Sequence, residues 1–303
     1  MIPALAETTP APRSGVDASV AAPLLVVHLA ALALAPFTVT RAGLWTCLGL
    51  YLFTGLGVTA GAHRLFAHRS FQPAPLLRDL LALAFLLSAQ GSLRRWVRDH
   101  AIHHRYSDGA GDPHSPLALG FWGAHLFWLW KRPPTAEQER ALYRRWTRGL
   151  EVGRLGGFFR SGARLGALHL GGLATLFAVG TLAGDARLGL SLVVWGGAVR
   201  IVLVLHSTFL VNSATHLFGG RAYPTGDASR NTWWVALLAL GEGWHNNHHH
   251  RPAAGNNGFH RPWEVDLTFL FLLAMGALGL LRDLKVYVAA RDRVETWFPG
   301  RTP

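Results

Sequence analysis

The chain has 303 residues, 50% of them hydrophobic and 15% charged, a balance that favours a membrane protein over two soluble domains. A single cysteine, Cys47, excludes a disulfide framework and any cysteine-based metal or iron–sulfur site. The formal charge of +12 comes with no zinc-finger or RNA-binding signature, so nucleic acid is set aside in favour of the basic loops of a membrane protein.

Residues 1–22 are rich in Ala, Pro, Ser and Thr and lack the basic start and apolar core of a signal peptide, so a disordered tail is expected there. Four stretches, about 22–40, 44–61, 165–183 and 188–211, approach or exceed the roughly 20 apolar residues that a spanning helix needs. Short connections near Arg41 and near residues 184–187 pair them into two hairpins. Shorter apolar runs at 80–89, 117–130 and 267–281 suit interfacial or protein-buried helices. Trp122, Trp128 and Trp130 beside Lys131 and Arg132 read as an interfacial edge. Residues 135–150 read as a surface helix opened by a capping box, Thr135 to Gln138. The domain is expected to end near 285, leaving 286–303 as a C-terminal tail.

Two hairpins return the chain to one side, so the tail, residues 63–164 and residues 212–303 share a compartment. Of the 29 Lys and Arg, 16 fall in 63–164 and 9 after 211, whereas the opposite side has only Arg41 and Arg187. By the positive-inside rule that shared side, with both termini, is cytoplasmic.

The histidines are grouped on that side. His63 and His68 follow the second span, and His216 follows the fourth, four residues after Asn212. His100, His103 and His104 share one short stretch, and His245, His248 and His249 share another. The last two groups have spacing i, i+3, i+4, so on a helix each can aim three imidazoles at one point. His63 and His68, five apart, are about 140° apart on an ideal α-helix and need a helix end or kink between them. Nine imidazoles exceed what one ion can use; two ions with four or five each would keep positions open for oxygen or water. Imidazole suits iron, zinc, copper and nickel. Soluble di-iron bundles carry paired Glu-x-x-His motifs. No such set of two is present, so the ions are expected to be held by histidine alone and weakly coupled. Asp99, Asp108, Asp112, Glu242 and Asp266 lie near enough to the boxes to accept the second ring N–H of a ligand. His28, His114, His125, His169 and His206 are read as structural, and His250 falls 100° of helix rotation past His249.

The boxes H-x4-H (His63, His68), H-x2-H-H (His100, His103, His104), N-S-x-x-H (Asn212, His216) and E-G-x-H-N-x-H-H (Glu242 to His249) resemble those of integral-membrane fatty acid desaturases of the stearoyl-CoA desaturase-like class. "SATHLFG", "YPTGDASRNTWW" and "WEVDLT" extend the likeness, which runs from about residue 24 to 285. It implies an all-α membrane protein: four spans in two hairpins under a cytosolic helical cap that holds two irons. The nine histidines would be ligands, with Asn212 acting through a water. The reaction would be O2-dependent, removing two hydrogens from a saturated acyl chain carried by coenzyme A or another thioester, with delta-9 the usual outcome. The likeness nominates Trp96, Arg98 and Asp99, and Trp128, Lys131 and Arg132, as head-group contacts. Two departures stand out: Ala101 where relatives often carry arginine, and His250-Arg251-Pro252 where they often continue x-Phe-Pro.

Breaking an unactivated C–H bond is beyond acid–base side chains and calls for an oxidising metal–oxygen species. The chain carries no haem domain, flavin fingerprint or iron–sulfur cysteines, so electrons would come from another protein, cytochrome b5-like or a ferredoxin. The rival readings are a fatty acid or alkane hydroxylase and a non-catalytic membrane metal-binding protein.

Overall fold

The structure is a computed structural model that describes residues 14–132, 140–141, 147, 153–158 and 161–300. The surface helix expected over 135–150 lies outside the described residues apart from 140, 141 and 147.

The first hairpin is α1 (Ala18–Thr38) and α2 (Arg41–Ala67). The helix begins inside the expected tail because Asp17 caps it, its carboxylate accepting the Ser19 N–H at 3.1 Å. Residues Ser14–Val16 also pair with Lys131–Arg132 as a short antiparallel ribbon. Thr40 caps α2 through the Gly43 N–H at 3.0 Å. The second half of α2, Gly57–Ala67, is wound as a π-helix. A Cβ at Gly57 would collide with the backbone of Ala84 and Phe85, so this glycine lets the next helix lie directly against α2.

That next helix is α3 (Pro75–Leu87), followed by α4 (Leu93–Tyr106) and α5 (Pro116–His125). The second hairpin is α6 (Gly162–Ala183) and α7 (Ala186–His216). Gly180 faces Gly189 so closely that a Cβ would sit 2.6 Å from the Gly189 Cα, which keeps this hairpin tight. Among the described residues four helices are thus long and apolar enough to cross a membrane, and few residues of α1 and α6 are buried along their length. Such faces are stable only in lipid. Within α7, Arg200 is buried and donates to the carbonyls of Gly196 (3.0 Å) and Leu87 (2.5 Å), tying the fourth span to the end of α3.

The cap is completed by α8 (Trp233–Leu238), α9 (His245–His250) and α10 (Leu267–Ala277). Its apolar core gathers Phe85, Leu86, Leu93, Leu272 and Leu284 around the end of α2. The stretch expected as a C-terminal tail folds instead into a hairpin, Leu284–Val288 with Arg293–Trp297, turned by a left-handed Asp292. It is pinned to the cap by Lys285 N–H to Ser70 O at 2.8 Å and Gly255 N–H to Lys285 O at 2.6 Å.

Candidate metal centre

The π-winding of α2 resolves the awkward spacing of His63 and His68. The His68 N–H donates to the His63 carbonyl at 3.0 Å, an i to i+5 bond, and the rings lie 4.8 Å apart on one face. Helix α4 is capped by Ser92, and the turn that leads into α9 runs tight against α8 and the residue before α10 through two glycines of its own box. A Cβ at Gly243 would strike the Ala236 backbone, and one at Gly241, where φ is 110°, would strike Asp266.

The nine imidazoles fall into two groups: His63, His68, His100, His104 and His248 in one, His103, His216, His245 and His249 in the other. Each i, i+3, i+4 triplet was expected to aim at one point, and this is corrected. The i, i+4 pairs stay together, while the i+3 residue, about 100° from i+4 on the helix, turns to the other group. His103 of α4 and His248 of α9 are the two that cross.

Carboxylates fix the outer nitrogens. The Nδ1–H of His216 donates to Asp108 (2.8 Å), that of His103 to Asp112 (3.1 Å) and that of His249 to Asp227 (2.5 Å). His63 Nδ1 lies 2.7 Å from Glu242. Asp108 also accepts the Ala228 N–H and the Ser115 hydroxyl, and Asp112 the N–H groups of Asp108 and His114. Burial alone would raise the carboxyls of Asp112 and Asp227, but His103 and His249 respectively hold them far below the usual range. With Nδ1 protonated, Nε2 is a bare lone pair. His103 and His249 therefore point lone pair at lone pair across 3.4 Å. Similar Nε2–Nε2 approaches join His216 to His245 (3.1 Å), His63 to His248 (3.1 Å), His104 to His248 (2.9 Å) and His68 to His100 (2.7 Å). Facing lone pairs repel unless a cation lies between them.

Burial pushes His68, His100, His104, His245 and His248 well below 6.5, and His249 to about 4 despite Asp227. At neutral pH these rings are uncharged and can bind a metal. The donor set therefore fits two transition-metal ions. Glu242 meets His63, the amide of Asn257 and the buried Arg64, whose guanidinium also reaches Asp266 at 3.0 Å.

An apolar cavity opens beside both groups. It is walled by Tyr51, Val58 and Thr59 of α2, Thr208, Val211 and Asn212 of α7, and Leu238 to Leu240, and it reaches His63, His100, His103 and His245. Trp96 forms part of this wall, stacked on His100 at 5.0 Å. Its indole N–H donates to Gln90, which donates to Thr208. Gln90 and Thr208 were not singled out in the sequence, where the only signal is a polar side chain inside an apolar run.

The other nominated contacts are placed as follows. Arg98 and Asp99 are buried and paired at 2.7 Å. Trp128 is buried edge-on to His114, with ring centroids 4.9 Å apart. Lys131 and Arg132 lie on the short ribbon with Ser14–Val16, and the Arg132 side chain lies outside the described residues. Of the carboxylates expected beside the boxes, Asp108, Asp112 and Glu242 meet histidines, whereas Asp99 and Asp266 meet arginines. Asp227 was missed, because its partner His249 is 22 residues away.

The fatty acid desaturase family model matches residues 40–265, well over half of the chain. The chain belongs to the fatty acid desaturase family. This desaturase is 41% identical over 264 residues to the sn-1 stearoyl-lipid 9-desaturase of Anabaena variabilis, covering 86% of this chain and 91% of that protein. It is 37% identical over 274 residues to Delta-9 acyl-lipid desaturase 2 of Arabidopsis thaliana, covering 88% and 82%. It is also 36% identical over 256 residues to the Acyl-CoA C20 Delta5-desaturase of Anemone leveillei, covering 83% and 77%. The desaturase is an oxidoreductase acting on fatty acyl chains, built on spanning helices that carry histidine clusters able to hold metal.

Proposed function

We propose that the desaturase holds two iron ions, one in each histidine group, and introduces a delta-9 double bond into a saturated acyl chain. The observation that carries this reading is the convergence of Nε2 atoms, with His103 and His249 both stripped of a hydrogen on the facing side, at the end of an apolar cavity. The balance is one –CH2–CH2– unit, O2, two electrons and two protons going to –CH=CH– and two waters. Bound iron would supply the oxidant for the C–H bonds, which no side chain here can attack.

The protein's own residues do the rest. Asp108, Asp112 and Asp227 keep a proton on each Nδ1 and fix the ring orientations. Asn212, lining the cavity with His103 and His245, is suited to hold a water at the second group. The Trp96–Gln90–Thr208 chain stiffens the wall along which the acyl chain lies, so it helps set which carbons reach the histidines.

The relatives' names support a glycerolipid-bound acyl chain as substrate. The acyl-CoA desaturase among them keeps a thioester substrate as the second reading, with Trp96, Arg98, Asp99, Trp128, Lys131 and Arg132 as its head-group candidates. Electrons would come from an external carrier, cytochrome b5-like or a ferredoxin. The bias of Lys and Arg supports a cytoplasmic cap and termini.

The test is a fatty-acid profile of a desaturase-deficient host expressing the chain, with lipid classes and acyl-CoA separated before gas chromatography–mass spectrometry. Monounsaturated acids, bonded at carbon 9 and appearing first in glycerolipids, are expected. Hydroxy acids would overturn the reaction, and early labelling of acyl-CoA would overturn the carrier.

A further inference from the structure

His250 is the one histidine of its box that neither metal group uses. Its ring lies flat on Tyr223, with centroids 4.0 Å apart and planes 5° from parallel. Around this stack sit Tyr287, 5.9 Å from His250, and Phe259, 4.6 Å from Tyr287, while His260 lies 5.5 Å from Tyr223. The cluster is bolted to the centre rather than lying loose on the surface. His250 is joined by one peptide bond to His249, and Asn246 of the same helix accepts the Tyr223 N–H at 2.8 Å and donates to its carbonyl at 3.1 Å.

The surroundings are basic. Arg251 lies over the Tyr287 ring at 5.0 Å, and Arg221 is anchored beside Tyr223 by its bond to the Thr225 carbonyl at 2.7 Å. Arg251 is paired with Asp292 at 3.0 Å, and the exposed Arg291 and Arg293 share Glu295, so the five arginines of this face, exposed Arg261 among them, outnumber its two paired carboxylates. It is thus the place where a stacked, half-buried ring pair bonded to a metal-group histidine meets a positively charged surface.

We propose that this face of the cap docks a small acidic one-electron carrier protein, and that the His250–Tyr223 stack is where the electron enters. The inference rests on the proposed reading that desaturation consumes two external electrons. Each docking oxidises the reduced carrier by one electron and passes it toward the His249 side of the centre. Two dockings supply the two electrons used, with O2 and two protons, per double bond. Complementary charge speeds such encounters and makes them salt-sensitive.

The test uses the full chain in nanodiscs of uncharged lipid. A plant-type [2Fe–2S] ferredoxin and the soluble haem domain of cytochrome b5, both acidic, serve as probes. At least one is expected to bind, more weakly as salt rises. The double variant Arg221→Glu, Arg251→Glu should weaken that binding by about tenfold or more, whereas Arg187→Glu, at the turn between α6 and α7, should not change it. His250→Leu should still bind the carrier but oxidise it several-fold more slowly, judged against turnover driven by a reduced viologen, which reads the centre without the carrier. Binding of neither probe, or equal binding by the double variant, overturns the docking surface. Unchanged carrier oxidation in His250→Leu overturns the entry point. Failure of viologen-driven desaturation alongside charge-dependent carrier binding would count against the proposed reaction, not against the surface.

Discussion

The molecule holds imidazoles nose to nose in two places, with opposite chemistry. In the metal centre, His103 and His249 each give their Nδ1–H to a carboxylate, so their Nε2 lone pairs face one another across 3.4 Å. Between α1, α5 and α7, three others form an unbroken chain. His28 Nδ1 donates to the Leu24 carbonyl at 2.6 Å, which leaves its Nε2 to accept from His206 at 3.0 Å. His206 Nδ1 then accepts from His125 Nε2 at 2.8 Å, and His125 Nδ1 meets the Ser213 hydroxyl at 3.0 Å. Each contact between these three rings has one donor and one acceptor, so the rings need no ion and brace two spans against α5, while the single hydrogen of the Ser213 hydroxyl is shared with the Phe209 carbonyl at 2.9 Å. What separates the two sites is the carboxylate: it accepts the outer N–H, which keeps the proton there and leaves the inner nitrogen a bare lone pair.

The sharpest way to break the comparison is to remove an imidazole that takes part in two of the three approaches in its group. His248 meets His63 and His104 through one nitrogen. His248→Ala is expected to lower desaturation by more than about 100-fold, beyond what loss of an outer partner costs, and to reduce the metal content measured by mass spectrometry. Acid is the next strongest lever. His249 is held at about 4 by burial, partly offset by Asp227, against an ordinary 6.5. As pH falls below 6.5 the unfolded chain takes up protons that the folded chain refuses, so stability drops from there towards 4. The depressed carboxyls of Asp112 and Asp227 add stability above their unfolded values, lost only at still lower pH. Chelator-stripped protein should therefore melt lower at pH 5.5 than at pH 7.5; an equal Tm would contradict this account.

Asp227→Asn keeps the shape but can present an N–H to His249, releasing the tautomer. Metal affinity should fall by roughly 10–100-fold in a competition titration. The smallest effect belongs to the neutral chain. His206→Phe leaves His28 and His125 each short of a partner, for about 1–3 kcal/mol of stability, with metal content unchanged. Loss of metal in this variant would erase the distinction between the sites.

The histidine boxes were legible in the sequence because their spacing is local: i, i+3, i+4 puts rings on one side of a helix whatever that helix packs against. How the triplets divide was not, since sending His103 and His248 across depends on where α4 and α9 lie relative to each other. The four spans were visible in outline, but α2 and α7 run on past the apolar stretches to carry His63 and His216. The π-winding at Gly57–Ala67 has no local signature; it begins at the glycine against which α3 packs. The C-terminal hairpin was missed because its alternation is interrupted by "AARDR", the very turn that closes it. Asp227 sits in a loop with no periodicity and joins His249 only through tertiary structure.

Iron K-edge X-ray absorption on protein shown to desaturate, with metal counted per chain, tests the central claim most directly. The account predicts two irons per chain, imidazole scattering from an environment dominated by nitrogen, and no short carboxylate-bridged iron–iron distance. One ion per chain, or a short bridged pair, would contradict it.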